Sequence, residues 1–413
     1  MLTRADPNTG AAEAKGDGPV VLQVVPSLVT GGAERSAVDI AVALTQAGGT
    51  ALVASEGGRL EVELARRGAT HLKLPMASKN PITMHRNVAR LMQVIEDYGV
   101  DIVHARSRAP AWSAAAAAKR TGRHFVTTFH GTYNFSNGIK RRYNAIMTKG
   151  ERVIANSEFV ARHIRETYDV DPRRIRVIRR GVDLNLFDPE RVSAERVIQL
   201  AKRWRLPDGL PVVMLPGRLT RWKGQAVLIE ALSHLRDLDL RCLLVGSDQG
   251  RSSYRAELER LIRHHGLDGV VNLAGHCDDM PAAYMLSDVV VSASTDPEAF
   301  GRVGGEAQAM GCPVVASDHG GVREQVLEDR TAFLCPPSAP GALAGNLRRA
   351  LALDPAQREQ MAREAHAHVR AYFSKDQMCA STLAIYRELM RADAMAEAPD
   401  QPQTAPSRTP AGS

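Results

Sequence analysis

The chain contains no long hydrophobic run. Its 413 residues include no stretch of ~18 apolar residues, so we expect no membrane-spanning helix. The first eight residues, from Met1 to Asn8, lack an apolar core, which argues against a secretory signal. These absences favour a cytoplasmic protein.

Cysteine is scarce and scattered. The five cysteines are an odd number, and no two of them have metal-ligand spacing: Cys242, Cys277, Cys312, Cys335 and Cys379. We expect reduced thiols, mostly in the core. Asp237 and Asp239 have a spacing that some sugar transferases use for a divalent metal. They precede a predicted strand, at the wrong end of its sheet, so we expect no metal site there.

Several motifs that would define other functions are missing. The chain has no G-x-G-x-x-G, which disfavours a nicotinamide site, and no G-x-S-x-G nucleophile turn. Aromatic residues make up only 5% and are not interleaved with the basic runs. Without aromatic side chains on which bases stack, nucleic acid is not an expected partner.

The positive charge lies in the first half of the chain. Residues 1–205 carry 32 Lys and Arg against 20 Asp and Glu, whereas residues 206–413 carry 21 against 26. The basic residues concentrate at 140–152 and 173–180. This asymmetry favours an anionic partner for the first half, such as an anionic membrane surface or an acidic glycolipid. A solvated basic surface remains the alternative.

Short β-branched runs alternate with helical stretches, which predicts parallel sheets with helices on both faces. The predicted strands are residues 20–25, 51–54, 71–74, 102–105, 125–128, 152–155 and 175–178, then, after a turn-rich linker near 205–211, residues 212–215, 242–245, 271–273, 289–292, 314–316 and 332–334. The predicted helices are residues 33–47, 84–98, 111–121, 139–149, 158–167, 225–235, 254–265, 305–310, 341–353 and 375–391. We therefore predict an α/β fold of two tandem Rossmann-like, doubly wound domains with a ligand cleft between them.

The segment from Ser294 to Ala307 is the most informative. Glu298 and Glu306 lie eight residues apart, on either side of a glycine-rich turn that leads into a helix. A carboxylate in the first turns of such a helix can bind the vicinal hydroxyls of a ribose, and the unpaired N–H groups there suit a phosphate. Glu298, in the loop, can bind hydroxyls of the group that the phosphates carry. The pattern indicates a sugar-nucleotide site.

Two further strand ends carry candidate residues. Arg218 and Lys223 follow the strand at 212–215, where a pair of cations suits a diphosphate. His130 follows the strand at 125–128 and is expected to face the cleft. Gly31 and Gly32 lie at a helix start, where a ligand can approach the backbone closely.

Together these residues resemble the retaining GT-B glycosyltransferases of family 4. The resemblance covers residues 20–390, and its specific signature is Glu298-x7-Glu306 with the upstream Arg218 and Lys223. It implies that a hexose moves from a nucleotide diphosphate to an acceptor with retention of configuration and without a metal. A UDP- or GDP-sugar would be the donor substrate, and no cofactor would be bound.

The resemblance also implies roles for individual residues. Arg218 and Lys223 would hold the donor diphosphate, and Glu306 would bind the ribose. Glu298 would bind the transferred sugar, with Phe300 and Gly301 offering backbone N–H groups. His130 would face the sugar and the reacting centre, and Gly31 and Gly32 would approach the donor phosphate or the acceptor.

The resemblance divides the chain by role. We expect an acceptor domain at 19–205, a donor domain at 206–373 and a C-terminal helix at 374–395 that packs back toward the acceptor domain. Disordered tails are expected at 1–18 and 396–413. Two departures from the family pattern concern the loop: Ala299 replaces a proline, which would loosen it, and Gly304-Gly305 replaces larger residues, which would make the helix begin later.

Four functions fit these observations. The first is transfer to a lipid-linked, lipopolysaccharide-core or surface-polysaccharide acceptor, with peripheral contact at the inner face of the cytoplasmic membrane. The second is transfer to a small soluble acceptor. A nucleotide-sugar epimerase on the same architecture is the third, and a sugar-nucleotide sensor is the fourth. Intact charged residues at Arg218, Lys223, Glu298 and Glu306 argue against the sensor.

Overall fold

The structure, a computed structural model, describes residues 18–29, 31–133 and 135–397, the last four of these by backbone only. The tails expected at 1–18 and 396–413 therefore lie almost wholly outside the described residues. Gly18 and two helical residues, Ala396 and Glu397, are the parts of them that fall inside.

A parallel sheet of seven strands forms the first domain. Its strands are β1 (Val20–Val24), β2 (Thr50–Ser55), β3 (Thr70–Lys73), β4 (Ile102–Ala105), β5 (His124–Phe129), β6 (Arg152–Ala155) and β7 (Ile175–Val177), and its helices are α1 (Gly32–Gln46), α2 (Glu61–Arg66), α3 (Pro81–Tyr98), α4 (Arg108–Thr121), α5 (Gly138–Asn144) and α6 (Glu158–Tyr168). The strand order is β3-β2-β1-β4-β5-β6-β7.

A parallel sheet of six strands forms the second domain. Its strands are β8 (Val212–Pro216), β9 (Arg241–Val245), β10 (Val271–Gly275), β11 (Val289–Ser292), β12 (Val314–Ser317) and β13 (Ala332–Cys335), and the remaining helices are α7 (Ala194–Trp204), α8 (Gln225–Leu232), α9 (Ser252–His264), α10 (Met280–Met285), α11 (Val303–Ala309), α12 (Pro340–Leu351), α13 (Pro355–Tyr372) and α14 (Lys375–Glu397). The order β10-β9-β8-β11-β12-β13 repeats that of the first sheet. The predicted fold class, two tandem Rossmann-like domains, is confirmed.

Helices cover both faces of each sheet. All five residues of β1 are buried, because separate hydrophobic clusters lie on its two sides. Central parallel strands of this kind are rich in Val, Ile and Leu without alternation, as the sequence of β1 shows. The five cysteines are all buried and unpaired, in agreement with the thiols predicted. No described helix combines the length and apolar character needed to span a bilayer.

All thirteen predicted strands are present within two residues at either end. Four helices were missing from the prediction: α2, α7, α10 and α13. In α13 the buried apolar residues are Met361, Ala365 and Val369, a stripe of one residue every turn on an otherwise polar helix. A capping box between Asp354 and Gln357 defines its start. So narrow a stripe gives a weak periodic signal in the sequence.

The chain crosses between the domains twice, and the two crossings pair with each other. Val182, after β7, donates its N–H to the carbonyl of Phe373 (2.7 Å) and accepts from the N–H of Lys375 (2.8 Å). The ammonium of Lys375 pairs with Asp183 at 2.6 Å. From there α14 runs back and packs on α1. The phenol oxygen of Tyr386 lies 2.6 Å from Nδ1 of His104, at the centre of the first domain.

Helix α6 makes direct contact with the second domain. Ser157 caps α6, since its Oγ accepts from the N–H of Val160, and the same hydroxyl donates to the carbonyl of Ala299 at 2.5 Å. The carboxylate of Glu324 accepts from two N–H groups at the start of α6. These contacts hold the loop after β11 against the first domain.

Candidate active site

The loops after β8 and β11 meet at the point where the strand order of the second sheet reverses. These strands are neighbours, with Val289 paired to Val213 and Val290 to Met214. Loops at the carboxyl ends of two such strands diverge, and the crevice between them is where open α/β sheets bind ligands. Arg218 and Lys223 follow β8, and Glu298 follows β11. The topology therefore brings the predicted cations and the first predicted carboxylate together.

Glu298 is a buried carboxylate paired with Lys223. Its exposed fraction is 7%, its Oε1 lies 2.7 Å from Nζ of Lys223, and the hydroxyl of Ser294 donates to the same oxygen at 2.5 Å. Burial alone would raise the pKa of Glu298. The charge and hydrogen bond of Lys223 and the hydrogen bond of Ser294 oppose burial, so that the pKa is lowered and the carboxylate stays ionised.

Glu306 lies in the first turn of α11 and is equally buried, at 7% exposed. The phenol of Tyr284 donates to its Oε2 at 3.0 Å, and Nε of Arg302 lies 3.6 Å from its Oε1. Burial and the adjacent carboxylate raise the pKa of Tyr284 well above its usual value, so that it remains a donor. Tyr284, on α10, therefore orients Glu306.

The start of α11 corrects one expectation. We expected Gly304-Gly305 to delay the helix, but α11 begins at Val303. A Cβ on Gly305 would lie 2.8 Å from Cγ2 of Val182, which follows β7 in the first domain. Glycine is needed at this position because the segment around Val182 passes close to the helix and leaves no room for a side chain. The low helix propensity of glycine does not explain its presence.

Phe300 and Gly301 occupy a tightly held turn. Phe300 is 1% exposed and packs on Phe373 with ring centroids 5.7 Å apart, while the side-chain amide of Gln325 donates to its carbonyl. Gly301 has φ of 80°, a left-handed conformation that other residues adopt at a cost. The carbonyl of Ala299 is held by Ser157, so the loop is fixed without the proline that the family pattern has.

His130 lies directly after β5, at the carboxyl edge of the first sheet. Nη2 of Arg180 donates to its Nδ1 at 3.0 Å, so the other ring nitrogen, Nε2, carries the proton. Nε2 is buried and has no partner in the described part of the chain. Burial, followed by the charges of Arg180 and Arg106, holds the pKa of His130 well below its usual value. His130 is thus a neutral hydrogen-bond donor.

Gly31 and Gly32 precede and begin α1, as predicted, but a side chain lies against them. A Cβ on Gly32 would lie 2.1 Å from Nη1 of Arg180. The absent side chain of Gly32 therefore gives room to a guanidinium in this structure. Arg218 is exposed at its loop, and Nε2 of Gln225 donates to its carbonyl at 3.0 Å.

Four residues near the cleft were not singled out from the sequence: Arg106, Asn156, Arg180 and Tyr284. Arg106 and Asn156 each follow a strand directly, and Arg180 lies three residues after β7. Their position at strand ends was the available signal, but we counted Arg180 only among the basic residues of 173–180. Nothing local distinguishes Tyr284, because its partner Glu306 is 22 residues away.

The described residues contain no group of three or more His, Cys, Asp or Glu side chains able to hold a metal. Asp237 instead forms a bidentate pair with Arg348 on the surface, at 2.7 and 2.8 Å.

Two family models match the chain. The model described as Glycosyltransferase Family 4 matches residues 30–186, and the one described as Glycosyl transferases group 1 matches residues 198–368. A D-inositol 3-phosphate glycosyltransferase of Xylanimonas cellulosilytica is 32% identical over 304 residues, which are 70% of this chain and 72% of that protein. Another, from Salinispora tropica, is 34% identical, and the match spans only 52% of its length.

Solved structures agree in fold. A glycosyltransferase from Rickettsia africae superposes with a TM-score of 0.85 at 38% identity, over 91% of this chain and 99% of that one. Anabaena Alr3699/HepE in complex with UDP and glucose superposes with a TM-score of 0.77 at 25% identity, over 92% of this chain and 99% of that one.

The pairing of Glu298 with Lys223 predicts an asymmetric response to mutation. Lys223→Met leaves a buried carboxylate without its cation and should destabilise the protein by about 3–5 kcal/mol, whereas Lys223→Met combined with Glu298→Gln should lose much less. Because folding lowers the pKa of Glu298, the stability from this pair is present above the unfolded pKa of ~4.3 and is lost as pH falls through the folded value.

Thermal unfolding at neutral and acid pH measures both effects. The control is Arg363→Met, which breaks an exposed pair with Glu359 and should change stability by at most about 1 kcal/mol. A Lys223→Met protein as stable as wild type, or a double variant less stable than the single one, would mean that the pair does not exist.

Proposed function

Since this chain belongs to the GT-B glycosyltransferases of family 4 and group 1, we propose that it moves a hexose from a nucleotide-diphosphate sugar to an acceptor hydroxyl with retention. The single observation that carries the proposal is the pair of buried carboxylates, Glu298 and Glu306, on either side of the turn into α11, with Lys223 beside the first. Its glycosyltransferase relatives favour transfer over epimerisation.

Each charged group has a proposed role. Glu306, oriented by Tyr284, accepts hydrogen bonds from the ribose hydroxyls. Lys223 and Arg218 bind the diphosphate. When the diphosphate arrives, Lys223 shares its charge between the phosphate and Glu298, which frees Glu298 to accept hydroxyls of the sugar. Phe300 and Gly301 border the same place through their backbone.

The transition state explains why cations are needed. As the bond between the anomeric carbon and the phosphate oxygen breaks, negative charge grows on the departing diphosphate. Arg218 and Lys223 stabilise that charge more strongly in the transition state than in the ground state, which is what accelerates the reaction. In this role they replace a metal ion, and we propose that the reaction is metal-independent.

Retention is proposed to follow from attack on the face that the diphosphate leaves. The acceptor hydroxyl bonds to the anomeric carbon, and its proton passes to the departing phosphate oxygen. Glu298 is a poor proton donor, because its pKa is lowered. His130 is neutral and contributes a hydrogen bond from Nε2–H to the sugar or the acceptor, without acting as an acid.

The donor is a UDP- or GDP-sugar. Uridine is favoured because Alr3699/HepE, at 25% identity, has been crystallised with UDP and with UDP-glucose. For the acceptor, two classes stay open. The inositol-phosphate glycosyltransferases among the relatives favour a small soluble acceptor.

A surface feature favours the lipid-linked or polysaccharide acceptor predicted first. On α5, Ile139 is 83% exposed, and four residues further on, Tyr143 stacks on the exposed Trp112 with centroids 6.0 Å apart. Lys140 and Arg142 are exposed on the same short helix. Exposed apolar side chains next to cationic ones suit peripheral contact with an anionic bilayer. By contrast, Arg176 in the second basic stretch is paired with Glu388 of α14.

The carboxylate roles predict separable effects. Glu306→Gln should weaken binding of UDP or GDP, whichever binds tighter to wild type, by roughly tenfold, the equivalent of ~1.4 kcal/mol. Glu298→Gln should not weaken binding of the free nucleotide, because it removes the carboxylate that competes with the diphosphate for Lys223. It should reduce turnover, because the proposed partner of Glu298 is the sugar. Calorimetric titration measures the first effect, and Glu328→Gln, an exposed glutamate, is the control. If wild type and Glu306→Gln bind the nucleotide with equal affinity, the proposal that Glu306 binds the ribose is contradicted.

The α5 surface predicts salt-sensitive membrane binding. Wild-type protein should float with vesicles of phosphatidylglycerol at low salt and be released at high salt, because Debye screening weakens the attraction. Ile139→Ser should bind several-fold less. Ile82→Ser, which removes a 63% exposed isoleucine on α3, should bind as wild type does. Equal flotation of both variants, or no flotation of wild type, would leave the soluble acceptor as the remaining candidate.

A further inference from the structure

Four polar side chains that directly or closely follow strands line one cavity at the carboxyl edge of the first sheet. Arg106 follows β4, His130 follows β5, Asn156 follows β6 and Arg180 follows β7. The helices α1 and α14 close the opposite side of the cavity through Ser36, Ile40, Met378 and Thr382. The roles proposed above use only His130 from this set.

Arg106 is a fully buried cation. Its exposed fraction is 2%, and its Nε donates to Oε1 of Gln23 at 2.6 Å. Its Nη2 is buried with no hydrogen-bond partner among the described residues. Burial lowers the pKa of Arg106, and Tyr386, Cys379 and Asp39 oppose this effect. Asp39 is the carboxylate among these three, and it is paired with Arg35 at 2.8 Å. Burying a guanidinium without an anion costs free energy of folding, so the site favours the binding of an anionic ligand.

Arg180 adds a second cation to the same cavity. Burial, then the positive charges of Arg302 and Arg106, lowers the pKa of Arg180 to about 10, so it remains charged at neutral pH. Arg302 belongs to the second domain, just before α11. Arg180 is half-buried, and it therefore marks where the cavity meets the cleft between the domains.

Two more side chains of the cavity, Asn156 and His130, have buried polar atoms without a partner in the part of the chain that the structure describes. Both side-chain atoms of Asn156, which is 3% exposed, are buried and unpaired among the described residues, as is Nε2 of His130. The donors in the cavity are thus Nη2 of Arg106, Nδ2 of Asn156, Nε2 of His130 and the N–H groups of Arg180. The space between them is about 20 Å³, which accepts one oxygen atom. Donors around a space of one oxygen are suited to a terminal oxygen of an anion.

We propose that Arg106, Asn156 and Arg180 form an oxyanion pocket that receives the acidic group, a phosphate or a carboxylate, of the sugar acceptor. This inference rests on the proposed function and extends it to the acceptor. The donor diphosphate is assigned to Arg218 and Lys223, which follow β8 in the other domain. The pocket lies at the edge of the first sheet, closed by α14, and adjoins His130, so the acidic group lies near the accepting hydroxyl.

The first test is a titration of inorganic phosphate into the full-length protein saturated with UDP, followed by thermal shift. We expect phosphate to raise the melting temperature with UDP present, and Arg180→Met to weaken phosphate binding by about tenfold or more while UDP affinity stays unchanged. The control, Arg173→Met, removes the same charge from a side chain that is 90% exposed and should behave as wild type. Phosphate binding that UDP abolishes, or that Arg180→Met leaves intact, overturns the proposal.

A second variant separates a ligand pocket from a structural role. Asn156→Asp places a carboxylate of the same shape between the two arginines. If the cavity is an anion site, the new carboxylate occupies it, so this variant melts at a higher temperature than wild type and phosphate no longer raises its melting temperature. If the cavity is not an anion site, the new buried charge lowers the melting temperature, which contradicts the proposal.

Two further arms identify the source of the acidic group. Free D-inositol 3-phosphate, with inositol as its uncharged control, tests a soluble acceptor, and vesicles with phosphatidic acid test a lipid headgroup. Binding of either ligand supports the proposed pocket if Arg180→Met weakens that binding. If the wild-type protein binds neither ligand, the proposal is overturned. A wild-type protein that binds phosphate but no nucleotide would contradict the proposed function and leave the pocket standing.

Discussion

A buried carboxylate must find a cation or hydrogen-bond donors, and the cleft is organised around that requirement at Glu298. The cation comes from the loop after β8 and the hydroxyl from the end of β11, at 2.7 and 2.5 Å. These strands are neighbours only because the strand order reverses there. The ion pair therefore links the topology of the second sheet to the position of the charged groups. Under the proposed roles, a diphosphate competes with Glu298 for Lys223, and donor binding is coupled to the freeing of the carboxylate.

The repeated strand order gives each domain a switch point, between β1 and β4 in the first and between β8 and β11 in the second. The crossing chains at Val182 and Phe373 hold the domains in register, and the same segment packs against Gly305 at the start of α11. A change in the angle between the domains would therefore alter the packing of Val182 against α11, the helix that carries Glu306. The pair of Lys375 with Asp183 lies at this crossing and adds an ionic contact to it.

The sequence was sufficient for the fold class because its parallel strands are short, apolar and separated by helices. It was also sufficient to locate Glu298, Glu306, Arg218 and Lys223, since strand ends and glycine turns are local signals. It failed where a residue's role depends on distant partners. Gly304-Gly305 was interpreted by helix propensity, whereas the close approach of Val182 determines it. Arg180 was counted as surface charge, although it is bonded to His130, 50 residues away. The roles of all these residues stay predictions.

The central claim is that a sugar nucleotide binds between the two carboxylates, with its diphosphate at Lys223. A crystal structure with the tighter-binding nucleotide sugar tests it directly. The account predicts the ribose hydroxyls within hydrogen-bond distance of Glu306, the sugar hydroxyls within that distance of Glu298, and a phosphate oxygen at Nζ of Lys223. A nucleotide sugar bound with both carboxylates out of reach, and the pair of Lys223 with Glu298 undisturbed, would contradict it.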